Sequence, residues 1–419
     1  MAHFGLLSYR GSGHLYPLFA LSRRLVANGH RVTVFQDADQ EEIVHQHGLE
    51  FCSVPVTSTS AASQVFTNHH RQSFASWVNE TRFKLRRIDD DMRGFLKAYP
   101  PAIKATDVDV LLIGEISLAG PTVAEILRLP YFILSITIPH NFGWKTARSI
   151  DPKTSWRDRL QKELLEVSVL HMGGPIRHRL DNYRALAGLG SIRRIGQSFP
   201  ELAHITQWPQ CLDVPRRGLP SNFYYTGPFI DFETRPSIEF PWERLDGRSI
   251  VYVSLGTTRK GNPALFVKIA EACEELNLQA VITLGGSREC ASLPPLPGNA
   301  IVVDRAPQLD LLRLADLVIT HAGSNTVLET LTHGIPMLAF PLTLDQPAIA
   351  ATLARLGTAE VLSPRECSTS QIRDKLAKLR DSPRYRQATK TLQMKIGAQD
   401  NLSDAVRIIE ARLAAQRSR

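Results

Sequence analysis

The chain has 419 residues, of which 43% are hydrophobic and 21% charged, and it carries a net charge of +8. Such a composition is ordinary for a globular protein and excludes a disordered or fibrous chain. The length divides most naturally into two domains of about 200 residues. Nothing interleaves basic with aromatic residues as nucleic-acid binders do, and the modest positive excess reads first as a solvated basic surface, which could also attract an anionic small molecule or an acidic membrane surface. The five cysteines (Cys52, Cys211, Cys273, Cys290 and Cys367) are scattered and form no C-x-x-C pair. That pattern fits a reducing cytoplasm, with neither a disulfide framework nor a zinc site. No apolar run reaches the ~18 residues of a membrane span. Residues 4 to 8 already read as a strand, so the start is expected to be fold rather than a cleavable signal.

In chain order, the first fifty residues read as alternating strands and helices. A strand over Phe4 to Ser8 leads into a Gly-rich turn, and Pro17 is placed to open a helix. Leu18, Leu21, Leu25 and Val26 give that helix its apolar stripe, and Gly29 stops it. Strands follow at Arg31 to Phe35 and Leu49 to Val54, with a helix from Glu41 to His47 between them. Residues 57 to 101 and 139 to 200 are helical, polar and basic excursions around two further apolar strands, Val108 to Gly114 and Tyr131 to Ile136. The stretch 227–247, with three prolines and no period, reads as a linker. The rhythm then restarts, with strands at Ser249 to Ser254, Ala280 to Leu284, Ile301 to Asp304, Leu317 to Thr320 and Met337 to Phe340. Residues 1–226 and 248–398 are therefore expected to be two α/β domains, each a doubly wound parallel sheet with right-handed crossovers. Residues 399–419 close the chain as an amphipathic helix. Ligands of such sheets sit at the carboxyl ends of the strands, and two facing domains would enclose a cleft there.

The most informative block is RAPQLDLLRLADLVITHAGSNTVLETLTHGIPMLAFPLTLDQ, residues 305–346. A strand runs into His321-Ala322-Gly323, and a helix begins at Ser324-Asn325. Unpaired amides and the helix dipole favour negative charge at such a turn, which makes it a phosphate cradle. His321 can donate to a phosphate, Glu329 can accept from two ribose hydroxyls, and Asp345 with Gln346 can bond sugar hydroxyls. The residue types together describe a nucleotide-sugar site.

This block strongly resembles the donor signature of family 1 glycosyltransferases, nucleotide-sugar enzymes of the GT-B fold. Pro307-Gln308, His321, Gly323, Glu329, Gly334, Pro336, Pro341 and Asp345-Gln346 fall at the family's internal spacings. The resemblance implies two facing Rossmann-like domains with an interdomain cleft, and a last helix that crosses back to the first domain. It places Arg305, Ala306, Gln308, His321, Gly323, Ser324, Asn325, Glu329, Asp345 and Gln346 around the donor, with Ser254, Gly256 and Thr257 on the turn that opens the second domain. Arg305 departs from the tryptophan of plant members. A guanidinium plane also stacks on a base, which leaves the identity of the base open.

In S-Y-R-G-S-G-H-L-Y-P, residues 8–17, Gly13-His14 and Pro17 match the family's G-H-x-x-P. By that resemblance His14 is the general base that takes the acceptor's hydroxyl proton, work that suits an imidazole near neutral pH. Glu115, at the end of Leu111-Leu112-Ile113-Gly114, stands where the family has an aspartate that orients this histidine. The implied reaction is an inverting displacement without a metal or other cofactor, most simply with glucose from UDP-glucose. The partners are the nucleotide sugar and a small, largely apolar acceptor. Phe66, Trp77, Phe83, Phe142 and Trp144, in the two helical excursions, are candidates to line the acceptor pocket. A donor carrying a dTDP-deoxysugar is the alternative.

Rival readings are weaker. Gly11-Ser12-Gly13 after a strand, with Asp37 or Asp39 beyond, hints at a nicotinamide-dependent oxidoreductase, but Tyr16 replaces the third glycine of that fingerprint. A non-catalytic nucleotide-sugar-binding partner would have no need of His14. The triplets Asp37-Ala38-Asp39, Asp89-Asp90-Asp91 and Asp107-Val108-Asp109 mimic a metal-binding Asp-x-Asp, and Asp89 to Asp91 beside Arg86 and Arg87 read as a solvated charged face.

Overall fold

A computed structural model describes residues 1–9, 11–55, 74–139, 174–192, 202–216, 218–232, 235, 237–256, 263–286, 293–342, 345–397 and 399–418. They divide into two compact units: Met1–Thr206 with Pro215–Tyr225 and Ala405–Arg419, and Gln207–Val214 with Thr226–Asp404.

The first unit is built on a seven-stranded sheet ordered β3-β2-β1-β4-β5-β6-β7. Its strands are β1 (His3–Leu7), β2 (Arg31–Gln36), β3 (Glu50–Ser53), β4 (Val110–Gly114), β5 (Tyr131–Ser135), β6 (Ala203–Thr206) and β7 (Phe223–Tyr225). Every neighbouring pair is parallel. Helices cover both faces of such a sheet, so its central strands are apolar throughout rather than alternating. Phe4, Leu6 and Leu7 of β1 and all of Leu111, Leu112 and Ile113 of β4 are fully buried. The strand order runs outward from β1 in one direction and from β4 in the other, which makes β1/β4 the switch point where ligands of this architecture bind.

Helix α1 (Ser12–Ala27) starts five residues earlier than Pro17 signalled, and Pro17 lies inside it. Gly11, extended at φ −65° and ψ 134°, is the N-cap, and its carbonyl already accepts from the amides of His14 and Leu15. The helix is therefore under way when Pro17 arrives, and Pro17 forgoes only one amide bond, to Gly13. His14 consequently sits in the first helical turn, not ahead of it. Two shorter helices, α2 (Glu41–Gln46) and α4 (Gly120–Leu127), the long α3 (Phe74–Lys104) and a further helix over residues 174–186 also belong to this unit.

The second unit repeats the plan with six strands ordered β10-β9-β8-β11-β12-β13. They are β8 (Ile250–Ser254), β9 (Gln279–Thr283), β10 (Ile301–Val303), β11 (Ala315–Thr320), β12 (Met337–Ala339) and β13 (Ala359–Val361), again all parallel. Its core joins Val251, Val253, Ile282, Ile319 and Leu338 of the sheet to Phe266 and Ile269 of α5 (Pro263–Glu275) and to Ile372 and Leu376 of α9 (Thr369–Asp381). Between them in sequence run α6 (Gln308–Leu314), α7 (Ser324–Thr332) and α8 (Gln346–Arg355), and α10 (Pro383–Ile396) follows α9.

The last helix, α11 (Asn401–Arg417), is anchored to the first unit by polar contacts. Glu410 accepts from Asn28 and His30 at 3.1 Å each, and Arg412 donates to the Tyr224 hydroxyl at 2.9 Å through Nε. Among the described residues, no helix is long and apolar enough to cross a membrane.

Candidate active site

In the first unit the relevant residues gather at the carboxyl ends of β1, β4 and β5. Leu7 pairs with Ile113, so β1 and β4 end together, and the chain leaves β1 through the turn that carries His14. The Gln36 side chain donates to the Ser8 carbonyl at 2.5 Å and holds the start of that turn. A Cβ on Gly11 would stand 3.0 Å from the Tyr9 ring, which would have to give way to it. Tyr9 in turn meets the half-buried His14 edge to face, with centroids 5.7 Å apart.

Glu115 follows β4 directly and is also half-buried. Its amide donates to the Leu134 carbonyl at 2.9 Å, and its Oε2 accepts from the Ser135 hydroxyl at 2.5 Å. Ser135 Oγ also lies 2.5 Å from Nε2 of His204, a fully buried residue of β6. Burial pushes the His204 pKa down to about 4; the Glu115 charge raises it and Arg216 lowers it further. His204 is therefore neutral at physiological pH. Asp109, by contrast, enters at the amino end of β4, accepting from the His3 amide at 2.8 Å, far along the strand from His14. It is structural.

In the second unit the corresponding switch point is β8/β11. Ser254 ends β8, and its carbonyl lies 3.4 Å from Nδ1 of His321, which follows β11. The imidazole is seated between two glycines. A Cβ on Gly256 would stand 2.8 Å from His321 Nε2, and one on Gly323 only 2.4 Å from it. Gly256 also has φ +91°, so two requirements exclude a side chain there. Ala322 between His321 and Gly323 is left-handed at φ +64° and wholly buried, its amide donating to Thr320 Oγ1 at 3.2 Å. Burial lowers the His321 pKa, opposed by the Ser254 carbonyl and by the negative charge of nearby Asp345. Gly323 is the N-cap of α7 and has no side chain to cap it, and Ser324 and Asn325 form the first turn.

Glu329 projects from α7 and is only 3% exposed. A carboxylate so deeply buried requires partners. Arg235 supplies a guanidinium that grips both its oxygens, and Gln308 Nε2 donates to Oε2 at 2.5 Å. Gln308 is oriented by the Tyr252 hydroxyl, which donates to its Oε1 at 3.0 Å. Asp345 is the N-cap of α8, and Gln346 is buried with its Oε1 accepting from the Leu342 amide at 2.9 Å. The exposed Arg305 lies against Gly286, where a Cβ would stand 3.4 Å from its Nε. Ala306 beside it is half-buried.

Two family profiles match this chain. Residues 9–136 match the family described as glycosyltransferase family 28 N-terminal domain, and residues 212–397 match UDP-glucoronosyl and UDP-glucosyl transferase. The chain belongs to the family 1 glycosyltransferases of the GT-B fold. Among relatives of this glycosyltransferase, the zeaxanthin glucosyltransferase of Pseudescherichia vulneris is 28% identical over 433 aligned positions, which span 100% of both chains. Two solved structures share the fold. The glycotransferase of kitacinnamycin has a TM-score of 0.78 at 23% identity, over 98% of this chain and 99% of that one. The spinosyn rhamnosyltransferase SpnG complexed with thymidine diphosphate has a TM-score of 0.69 at 21% identity, over 98% and 100%.

Several residues singled out in the glycosyltransferase's sequence lie outside the described ones: Thr257 on the donor side, and Phe66, Phe142 and Trp144 on the acceptor side. Trp77 falls on α3, and its side chain is also outside them. Phe83, on the same helix, is 52% exposed. The Asp89 side chain is not on a solvated face as its neighbours suggested. It is 4% exposed, and Arg93 and Arg179 each donate to its Oδ2 at 2.6 Å, the second arginine coming from a helix 90 positions further on.

Three site residues escaped sequence reasoning. Arg235 sits in a proline-rich stretch without period, and its one signal is that a buried Glu329 needs a cation. Ser135 and His204 are polar positions in or beside apolar strands, a pattern that usually marks a buried polar contact.

Proposed function

We propose that the protein is an inverting, metal-independent glycosyltransferase that moves glucose from UDP-glucose to a hydroxyl of a small, largely apolar natural product. The observation that carries this reading is the constellation at β8/β11, where a seated imidazole, an open helix start and a buried carboxylate surround one set of strand ends. In the proposal His321 and the first amides of α7 receive the diphosphate, meeting the negative charge that grows on it as the sugar departs. Glu329 takes the ribose hydroxyls, which compete with Arg235 for its oxygens, Asp345 and Gln346 take the hexose, and the Arg305 guanidinium takes the face of the base. His14 accepts the acceptor's proton, the freed oxygen attacks the anomeric carbon from the face opposite the diphosphate, and UDP leaves. Glu115 steadies the imidazolium that results. The zeaxanthin glucosyltransferase relative supports a glucosyl donor and an apolar hydroxylated acceptor.

A dTDP-sugar is the second reading, favoured by Arg305, which can stack on any base, and by the thymidine diphosphate bound to a protein of the same fold. Thermal unfolding in EDTA, with UDP, dTDP, UDP-glucose or NAD added, separates the readings. A ligand that binds only the folded state stabilises it by about 2.7 kcal/mol at a hundred times its Kd. The proposal expects a shift with UDP and UDP-glucose. A larger shift with dTDP favours the second reading, and a shift with NAD alone overturns both.

A further inference from the structure

We propose that Ser135 and His204 are positioning residues that fix the Glu115 carboxylate for its work on His14, an inference that rests on the base and carboxylate roles given above. Glu115 is one methylene longer than the aspartate the family resemblance implies. A longer side chain has another rotatable bond, and a misplaced carboxylate is expensive where geometry controls the rate. The fold meets this by clamping its far oxygen. Ser135, at the end of the neighbouring β5, is fully buried and reaches Oε2 at 2.5 Å. An ionised carboxylate only accepts hydrogen bonds, so the serine proton must point at Glu115. Ser135 Oγ can then only accept from His204, 2.5 Å away, which defines the neutral Nε2–H tautomer of that ring.

The direction of the chain is thus set from both ends: His204 Nε2–H to Ser135 Oγ, Ser135 Oγ–H to Glu115 Oε2. His204 is held in turn by β6, whose register places it opposite Ile133 on one side and Phe223 on the other, and its ring packs on Phe223 at 4.9 Å between centroids. Arg216 is the cation whose charge bears on the ring. An imidazolium at this position would still donate through Nε2, but burial opposes it, so the relay transmits orientation without carrying charge.

The test is a double-mutant cycle on kcat. Ser135→Ala should lower kcat roughly tenfold to hundredfold, the range for a hydrogen bond to a charged group, with KM for the nucleotide sugar unchanged. In a Glu115→Gln background the same substitution should have almost no further effect, because the two residues act as one unit. A residue that merely supports the fold would multiply its loss onto that of Glu115→Gln, and that outcome overturns the proposal, as does full activity in Ser135→Ala. His204→Gln keeps an N–H donor near the Nε2 position and should hold kcat near the wild-type value, whereas His204→Phe keeps the ring's bulk without the donor and should lose about as much as Ser135→Ala. Equal activity in those two variants removes His204 from the chain. Undiminished turnover in both His14→Ala and Glu115→Gln would instead defeat the underlying assignment of base and carboxylate, an outcome distinct from additivity.

Discussion

His204 makes the first unit sensitive to acid, and the size of the effect follows from its burial. Its pKa falls from the ordinary 6.5 to about 4 in the folded protein, chiefly through desolvation. Below pH 6.5 the unfolded chain takes up a proton at this site and the folded chain does not, until the pH reaches about 4. Stability contributed by the neutral ring is therefore complete above pH 6.5 and drains away as the pH falls through that window. A shift of about 2.5 units corresponds to about 3 kcal/mol at the limit, of which about 2 kcal/mol is already lost at pH 4.5. For a unit of this size that is a melting-temperature change of roughly 5 °C. The assay compares wild type with His204→Gln, which retains a donor to Ser135 and cannot titrate. Thermal unfolding at pH 7 and at pH 4.5 should show the wild type losing about 2 kcal/mol more than the variant between the two conditions. Parallel pH curves for the two proteins would refute the reasoning, because they would mean that the folded His204 protonates as easily as the unfolded one.

Other perturbations probe the proposed chemistry. His14→Ala should abolish sugar transfer while UDP binding, followed by calorimetry, stays near wild type; persistent turnover would remove His14 as the base. Gly323→Ala forces a Cβ to within 2.4 Å of His321 Nε2 and should displace the ring, weakening nucleoside diphosphate binding at least about tenfold. Gly256→Ala adds to the same collision a left-handed backbone that costs about 1–2 kcal/mol, so it should lower the melting temperature more than Gly323→Ala does. Arg235→Ala strips the cation from a buried carboxylate and should destabilise the second unit by about 3 kcal/mol, read from urea unfolding; an unchanged midpoint would mean that Glu329 does not depend on it.

What the sequence disclosed follows the physics of each element. Strands such as Leu111-Leu112-Ile113 are buried on both faces, and their unbroken apolar runs announce both the strand and the parallel sheet. Strands β6, β7 and β13 are only three or four residues long, too short for any alternation to establish a period. The donor block was legible because its glycines and its histidine are mutually required: the ring of His321 occupies the space that side chains at 256 and 323 would fill. The partners that hold the site together were not legible, because Ser135, His204 and Arg235 reach Glu115 and Glu329 across separations of 20 to 94 positions that only the fold closes. Pro17 misled in a different way. Its rule concerns where proline is best tolerated, and a helix already nucleated at Gly11 can pass through it with the loss of one bond.

The most direct test of the donor site is calorimetric titration of UDP-glucose, in EDTA, into the wild-type protein and Glu329→Ala. Loss of the hydrogen bonds to the ribose should cost ~1–3 kcal/mol, a weakening of about ten- to hundredfold in Kd. Saturable binding without metal in the wild type, weakened to that extent in the variant, is the result the account predicts. Binding that requires a divalent metal, or equal affinity in the two proteins, would contradict it.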